Sequence, residues 1–287
     1  MKKNFILILA VLFFYGTLSV SAVELRPLNV QNARMDLENK NELRVNFDWI
    51  HEGIEVGGAD FSINSFTLPR INYKRTFNTK IPTRIGASAG LGYNRLSIDV
   101  DNILGIDDFN GGTGRFGFQN IGLSLEAGVI QKENIAVALY INQHFPTVNS
   151  DILGLPFLSN SLPVYGTNAY GFQSGSEIQF NLGKNLTIYS DLAYRFDKHE
   201  LIDFIHSFVY FNEAVLSLGD KKNYGLSLGV MGNTFYGDVS YTDLRLAPGL
   251  ILGLGDENQH QFRVGMPIGL NETTPDIGVQ ASYFSSF

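Results

Sequence analysis

Apolar and polar residues alternate with a period of two along most of the chain. From Arg84 to Asn94, Ile85, Ala87, Ala89, Leu91 and Tyr93 share one face, while Gly86, Ser88, Gly90, Gly92 and Asn94 share the other. Ile121, Leu123, Leu125, Ala127 and Val129 repeat the pattern against Gly122, Ser124, Glu126 and Gly128, and it resumes at Ile135, Val137, Leu139 and Ile141. Similar runs cover Ile178–Leu182, Leu186–Phe196, Tyr224–Val230, Leu250–Leu254 and Phe262–Ile268. Beyond the N-terminal stretch, no segment of about ten residues shows a helical period of 3.6. The fold is therefore expected to be all-β.

The pattern predicts twelve strands, at about 43–52, 66–78, 83–96, 114–130, 134–145, 169–183, 185–197, 206–219, 222–232, 248–256, 260–270 and 276–287. Five connections are tight and polar: Asn78 to Pro82, Gln131 to Asn134, Gly183 to Asn185, Asp220 to Asn223, and Asp256 to Gln259. The connections between them are mostly long: Gly53 to Ser65, Ser97 to Thr113, Pro146 to Asn168, Asp197 to Ile205 and Asn233 to Ala247, then a short Asn271 to Pro275. Short turns at one rim and long loops at the other describe a closed antiparallel barrel in a membrane, with both termini on the short-turn, periplasmic side and the long loops extracellular. Phe235 to Tyr241 has the pattern either of another strand or of an extension of one, and a count of fourteen would need an extra pair there.

The polar face decides which solvent lies outside. A water-soluble sandwich would solvate that face with Lys, Glu and Thr, but here it carries Gly, Ser, Asn and Gln. Charged residues are only 17% of the chain, and Gly contributes 30 of 287 residues. A polar but weakly charged face fits a lumen, with the Leu, Ile and Val set turned to hydrocarbon. The net charge of −7, without a Lys/Arg cluster, leaves no footprint for nucleic acid. The absence of cysteine excludes disulfides, thiolate metal sites and thiol nucleophiles.

Met1-Lys2-Lys3, the apolar run Phe5 to Tyr15 and the small residues Val20-Ser21-Ala22 have the three parts of a secretory signal peptide cut after Ala22. The expected organisation is a signal peptide over 1–22, an N-terminal periplasmic segment over 23–42 and a transmembrane barrel over 43–287. At the other end, Ile277, Val279, Ala281, Tyr283 and Phe287 share one face of the final strand, with Ser285 a polar exception. This strand resembles the closing strand of Gram-negative outer-membrane β-barrel proteins. The resemblance implies export to the bacterial outer membrane, contact with its lipids and lipopolysaccharide, and recognition of Tyr283 and Phe287 by the barrel-assembly machinery.

Function then rests on the lumen and the loops. The inward positions predicted to carry charge are Arg44, Asp48, Lys74, Arg84, Glu126, Glu177, Asp191, Arg195, Glu213 and Arg263, an even balance that implies weak charge selectivity. Tyr140, Tyr189 and Phe284 are candidate stacking surfaces for a solute. Inward glycines, among them Gly86, Gly122 and Gly253, leave little side-chain volume and so favour a narrow channel over a filled interior. In the longest loop, Ile152, Leu153, Leu155, Phe157, Leu158 and Leu162 are too apolar for water and are candidates for a constriction folded into the lumen. Asp99, Asp101, Asp107 and Asp108 cluster in another loop, without the spacing of a calcium motif.

The expected function is a porin-like channel that passes small solutes passively, with no cofactor, metal or enzymatic activity. One alternative is a non-conducting barrel whose loops bind a ligand or surface. The other is a lipid hydrolase. Outer-membrane phospholipases resemble the chain in size, but their H-x-S-N-G motif is not met at His206-Ser207-Phe208, and no other catalytic motif is present.

Overall fold

The computed structural model describes residues 32–35, 37, 40–56, 59–100, 109–147, 169–199, 205–219, 222–236, 240–254, 258–271 and 277–287. In chain order the strands are β1 Asn41–Val56, β2 Ala59–Phe77, β3 Thr83–Val100, β4 Phe109–Phe118, β5 Ile121–Gln131, β6 Ile135–Phe145 and β7 Ala169–Leu182. They continue as β8 Leu186–His199, β9 Ile205–Leu218, β10 Tyr224–Tyr236, β11 Tyr241–Leu254, β12 His260–Gly265, β13 Ile268–Gly269 and β14 Ile277–Ser286. Neighbouring strands of the sheet pair antiparallel, and β14 pairs back onto β1 from Glu42↔Ser286 to His51↔Ile277, which closes the sheet. The seam is completed by reciprocal backbone hydrogen bonds between Asn41 and Phe287, both 2.9 Å.

Fourteen segments occupy twelve barrel positions. β4 and β5 follow one another along β3, β4 against Leu91–Val100 and β5 against Thr83–Ser88. β12 and β13 likewise share one position between β11 and β14. Of the two readings of Phe235 to Tyr241, the structure has the extension: β10 runs to Tyr236, β11 starts at Tyr241, and Phe235 pairs with Tyr241. The predicted long loop 53–65 is also mostly strand, because β1 reaches Val56 and β2 starts at Ala59. The sequence pattern stops where the hydrophobic belt stops, whereas the backbone ladder continues beyond it.

The barrel is apolar outside and polar inside. Leu123, Leu125, Leu139, Ile141, Leu250 and Val264 are exposed on the outer wall, while Arg84, Glu126, Glu177, Gln179, Glu213 and Arg263 are each at most 1% exposed. This inverts the soluble arrangement and suits hydrocarbon, where closure leaves no open sheet edge around the barrel, although among the described residues β4 pairs with β3 alone. Aromatic residues mark the two ends of the apolar band: Tyr73, Phe77, Phe180, Tyr224 and Phe287 near the short turns, and Phe145, Tyr170, Phe172, Tyr194 and Tyr236 near the long connections. Also on the outer wall, the Tyr210 ring covers Gly232 so closely that a Cβ there would come within 2.1 Å of it.

Candidate channel lumen

Irregularities in the strands determine what enters the lumen. On β2, Leu68 and Pro69 oppose the single Phe47 of β1, so the register shifts between Asn46↔Arg70 and Asp48↔Thr67. The extra residue inverts the alternation: Ser65 and Thr67 point inward before it, and Arg70, Asn72 and Lys74 after it. Proline suits the site because it has no N–H to lose from the ladder. The backbone then passes so near Gly90 that a Cβ at that residue would lie 2.9 Å from the Arg70 Cα.

The short-turn half of the lumen is packed with paired charges. Arg84 is in buried ion pairs with Glu126, with Glu177 at 3.3 Å and with Glu42 at 3.4 Å, and Lys74 reaches Glu126 at 2.5 Å. Buried charges are tolerated only in such company. Tyr140 donates to Asp191 at 2.7 Å and accepts from Gln173 at 2.7 Å. Tyr189 packs with Val215, Ile251 and Phe211, and the Arg263 guanidinium lies 5.2 Å from the centre of the Phe284 ring. Lys222 donates to the Lys184 carbonyl and Asn258 to the Lys222 carbonyl, which ties neighbouring short turns together.

Beside this packed region lies a cavity of about 310 Å³, lined by Asn32, Glu42, Arg44, Asn46, Asp48, Arg70, Asn72, Lys74, Arg84 and Phe284. Its wall carries both signs of charge and three amides. Nearer the long connections, Arg195 pairs with Asp197 at 2.6 Å and Arg245 with Asp243 at 2.5 Å. Arg70, Arg195 and His144, from β2, β8 and β6, lie within electrostatic reach of one another inside the barrel.

The predicted residues Arg44, Asp48, Lys74, Arg84, Glu126, Tyr140, Glu177, Tyr189, Asp191, Arg195, Glu213 and Arg263 all project from the inner wall. Tyr140 and Tyr189 are held by protein neighbours and present no free ring face. The inward glycines act differently from the expectation. At Gly86 the volume a side chain would take is held by Ser124 and Lys74, at Gly122 by Ser88 and His144, and at Gly253 by Asn258. Glycine here seats long polar neighbours rather than leaving space open. The apolar loop residues Ile152, Leu153, Leu155, Phe157, Leu158 and Leu162, and the side chains of Asp99, Asp101, Asp107 and Asp108, lie outside the described residues. Among the described residues no cluster of three His, Asp or Glu could hold a metal ion.

Sequence reasoning missed Arg70, Glu42 and His144 on the inner wall. Pro69 within a strand was the available signal for Arg70. It also missed Asn32–Met35, which enters the short-turn mouth and buries Ala33 and Met35 against Ala136 and Ala138 of β6.

No family model matches the chain, and a search of curated proteins finds no match. Solved structures do match. An outer membrane channel from Pseudomonas putida F1 superposes with a TM-score of 0.62 at 11% identity, covering 94% of this chain and 100% of that one. The transport unit of the autotransporter AIDA-I from Escherichia coli gives 0.55 at 6% identity, covering 93% and 94%. The β domain of the Bordetella autotransporter BrkA gives 0.54 at 11% identity, covering 86% and 100%. At these identities the likeness shows the fold, that of an outer-membrane β-barrel.

Proposed function

We propose that the protein is an outer-membrane channel through which small polar solutes pass passively. The observation that carries this reading is the cavity of about 310 Å³ bordered by Arg44, Arg70, Lys74 and Arg84 on one side of the charge balance and Glu42 and Asp48 on the other, inside a barrel whose outer wall is apolar. A lumen of mixed charge offers water-like partners to solutes of either sign, so selectivity is weak. The likeness to the Pseudomonas putida channel supports the same reading. In this account the chain is exported by its leader, folded by the barrel-assembly machinery, surrounded by lipid and lipopolysaccharide, and has no catalytic role.

Single-channel recording of the purified protein in planar bilayers tests it. Stepwise current is expected. Silence from protein that retains heat-modifiable electrophoretic mobility would favour the second reading, a closed barrel acting through its long connections, for which the buried ion pairs of Arg84 speak. Release of fatty acid from phospholipid by the same sample would instead establish a hydrolase.

A further inference from the structure

Asn32–Met35 lie between the cavity, which Asn32 lines, and the β5–β6 turn, which Arg34 reaches, and the strand geometry provides a seat for this segment. In the β5–β6 pairing the register shifts between Gly128 and Ile130, which places one extra residue on β5. Without that bulge, Gln131 would fall on the outer face. With it, the Gln131 amide turns to the mouth, donating to the Ala33 carbonyl at 3.0 Å and accepting from the Met35 N–H at 3.0 Å. One side chain thus offers the donor and acceptor that a neighbouring strand would offer. Gly128 makes room for it, since a Cβ there would meet the Gln131 Nε2 at 2.8 Å.

Three more contacts hold the segment. Arg84 donates to the Asn32 carbonyl at 2.8 Å, and Arg34 reaches the carbonyls of Lys132 and Glu133 in the β5–β6 turn at 3.1 and 2.6 Å. Ala33 and Met35 fit because the facing wall residues, Ala136 and Ala138, are small. Asn32 itself lines the cavity. These bonds run to side chains and turn carbonyls rather than along a strand ladder, so the segment can leave without breaking the sheet.

We infer that Asn32–Met35 are an internal plug: docked against β5 and β6 they narrow the short-turn mouth, and their withdrawal opens the channel. The inference rests on the channel reading and names the element that controls it.

The chain has no cysteine, so a pair introduced as Ala33→Cys with Ala136→Cys or Ala138→Cys reports on docking alone. In outer membranes, oxidant is expected to form the intramolecular disulfide, seen as a shift in electrophoretic mobility that reductant reverses. In planar bilayers the oxidised protein is expected to conduct at least fivefold less, on time average, than the same protein reduced. A second variant, Arg34→Ala with Gln131→Ala, leaves the strand ladders intact and is expected to raise the time-averaged conductance above wild type by a similar factor. Failure of either pair to cross-link, or equal conductance of oxidised and reduced protein when wild type conducts, overturns the inference alone. Silence from wild type and the release variant alike removes the channel reading on which it rests, and the inference with it.

Discussion

Arg84 of β3 and Glu126 of β5 are direct cross-strand partners, and their side chains form a buried ion pair on the inner wall. Lys74, Glu42 and Glu177 join it, so Arg84 is the hub of a network linking five strands. Truncating one member leaves the others buried and uncompensated, which costs about 3–5 kcal/mol. Arg84→Ala is therefore expected to lower unfolding stability by roughly that amount, measured from urea titrations of the protein in detergent micelles. Arg84→Met with Glu126→Leu is expected to lose less than the sum of the single variants, because the pair leaves together.

The outer wall predicts a depth dependence. Leu125 in the body of β5 and Leu182 at the last position of β7 are similarly exposed, at 49% and 51%. Only the first lies well inside the apolar band. Leu125→Arg should cost about 2–4 kcal/mol and Leu182→Arg about 1 kcal/mol or less, measured as folding stability in lipid vesicles. Equal costs would contradict the placement of the band.

The bulge at Pro69 makes a third prediction. Deleting Pro69 removes the extra residue and leaves Thr67, Arg70, Asn72 and Lys74 inward in simple alternation, so the variant should still acquire heat-modifiable mobility, and loss of that mobility would contradict the bulge. Gly90→Val meets the Arg70 backbone and should lose about 1–3 kcal/mol, measured in the same urea titration.

Selectivity depends on the cations that meet inside the barrel. Arg70→Gln combined with Arg195→Gln removes two positive charges from opposite walls, and Asp197 loses its partner. The reversal potential in a salt gradient is expected to move toward cation preference, with the larger shift at low ionic strength. An unmoved potential would place the solute path elsewhere.

What was legible in the sequence was the periodic part. Leu123, Leu125, Leu139 and Ile141 announce the outer wall because lipid demands the same choice at every second position, and the tight polar turns give the strand number. Arg70 was not legible from periodicity, since one inserted residue changes the face of everything after it. Gln131 was hidden for the same reason, placed on the wrong face by the bulge after Gly128. Ala33 and Met35 carry no pattern at all: their positions depend on two small alanines about a hundred residues later in the chain. The volume vacated by glycine could likewise be assigned only once its neighbours were known, as Lys74 over Gly86 shows.

The central claim is that β6 separates lipid from an aqueous lumen residue by residue. Spin labels placed singly from Ala136 to Ile141, in the cysteine-free chain reconstituted into vesicles, test it through relaxation by oxygen and by a water-soluble nickel chelate. Labels at Val137, Leu139 and Ile141 should respond to oxygen, and those at Ala136, Ala138 and Tyr140 to shielding or to nickel, with a period of two. Oxygen accessibility at the second set, with the first set shielded, would contradict the account.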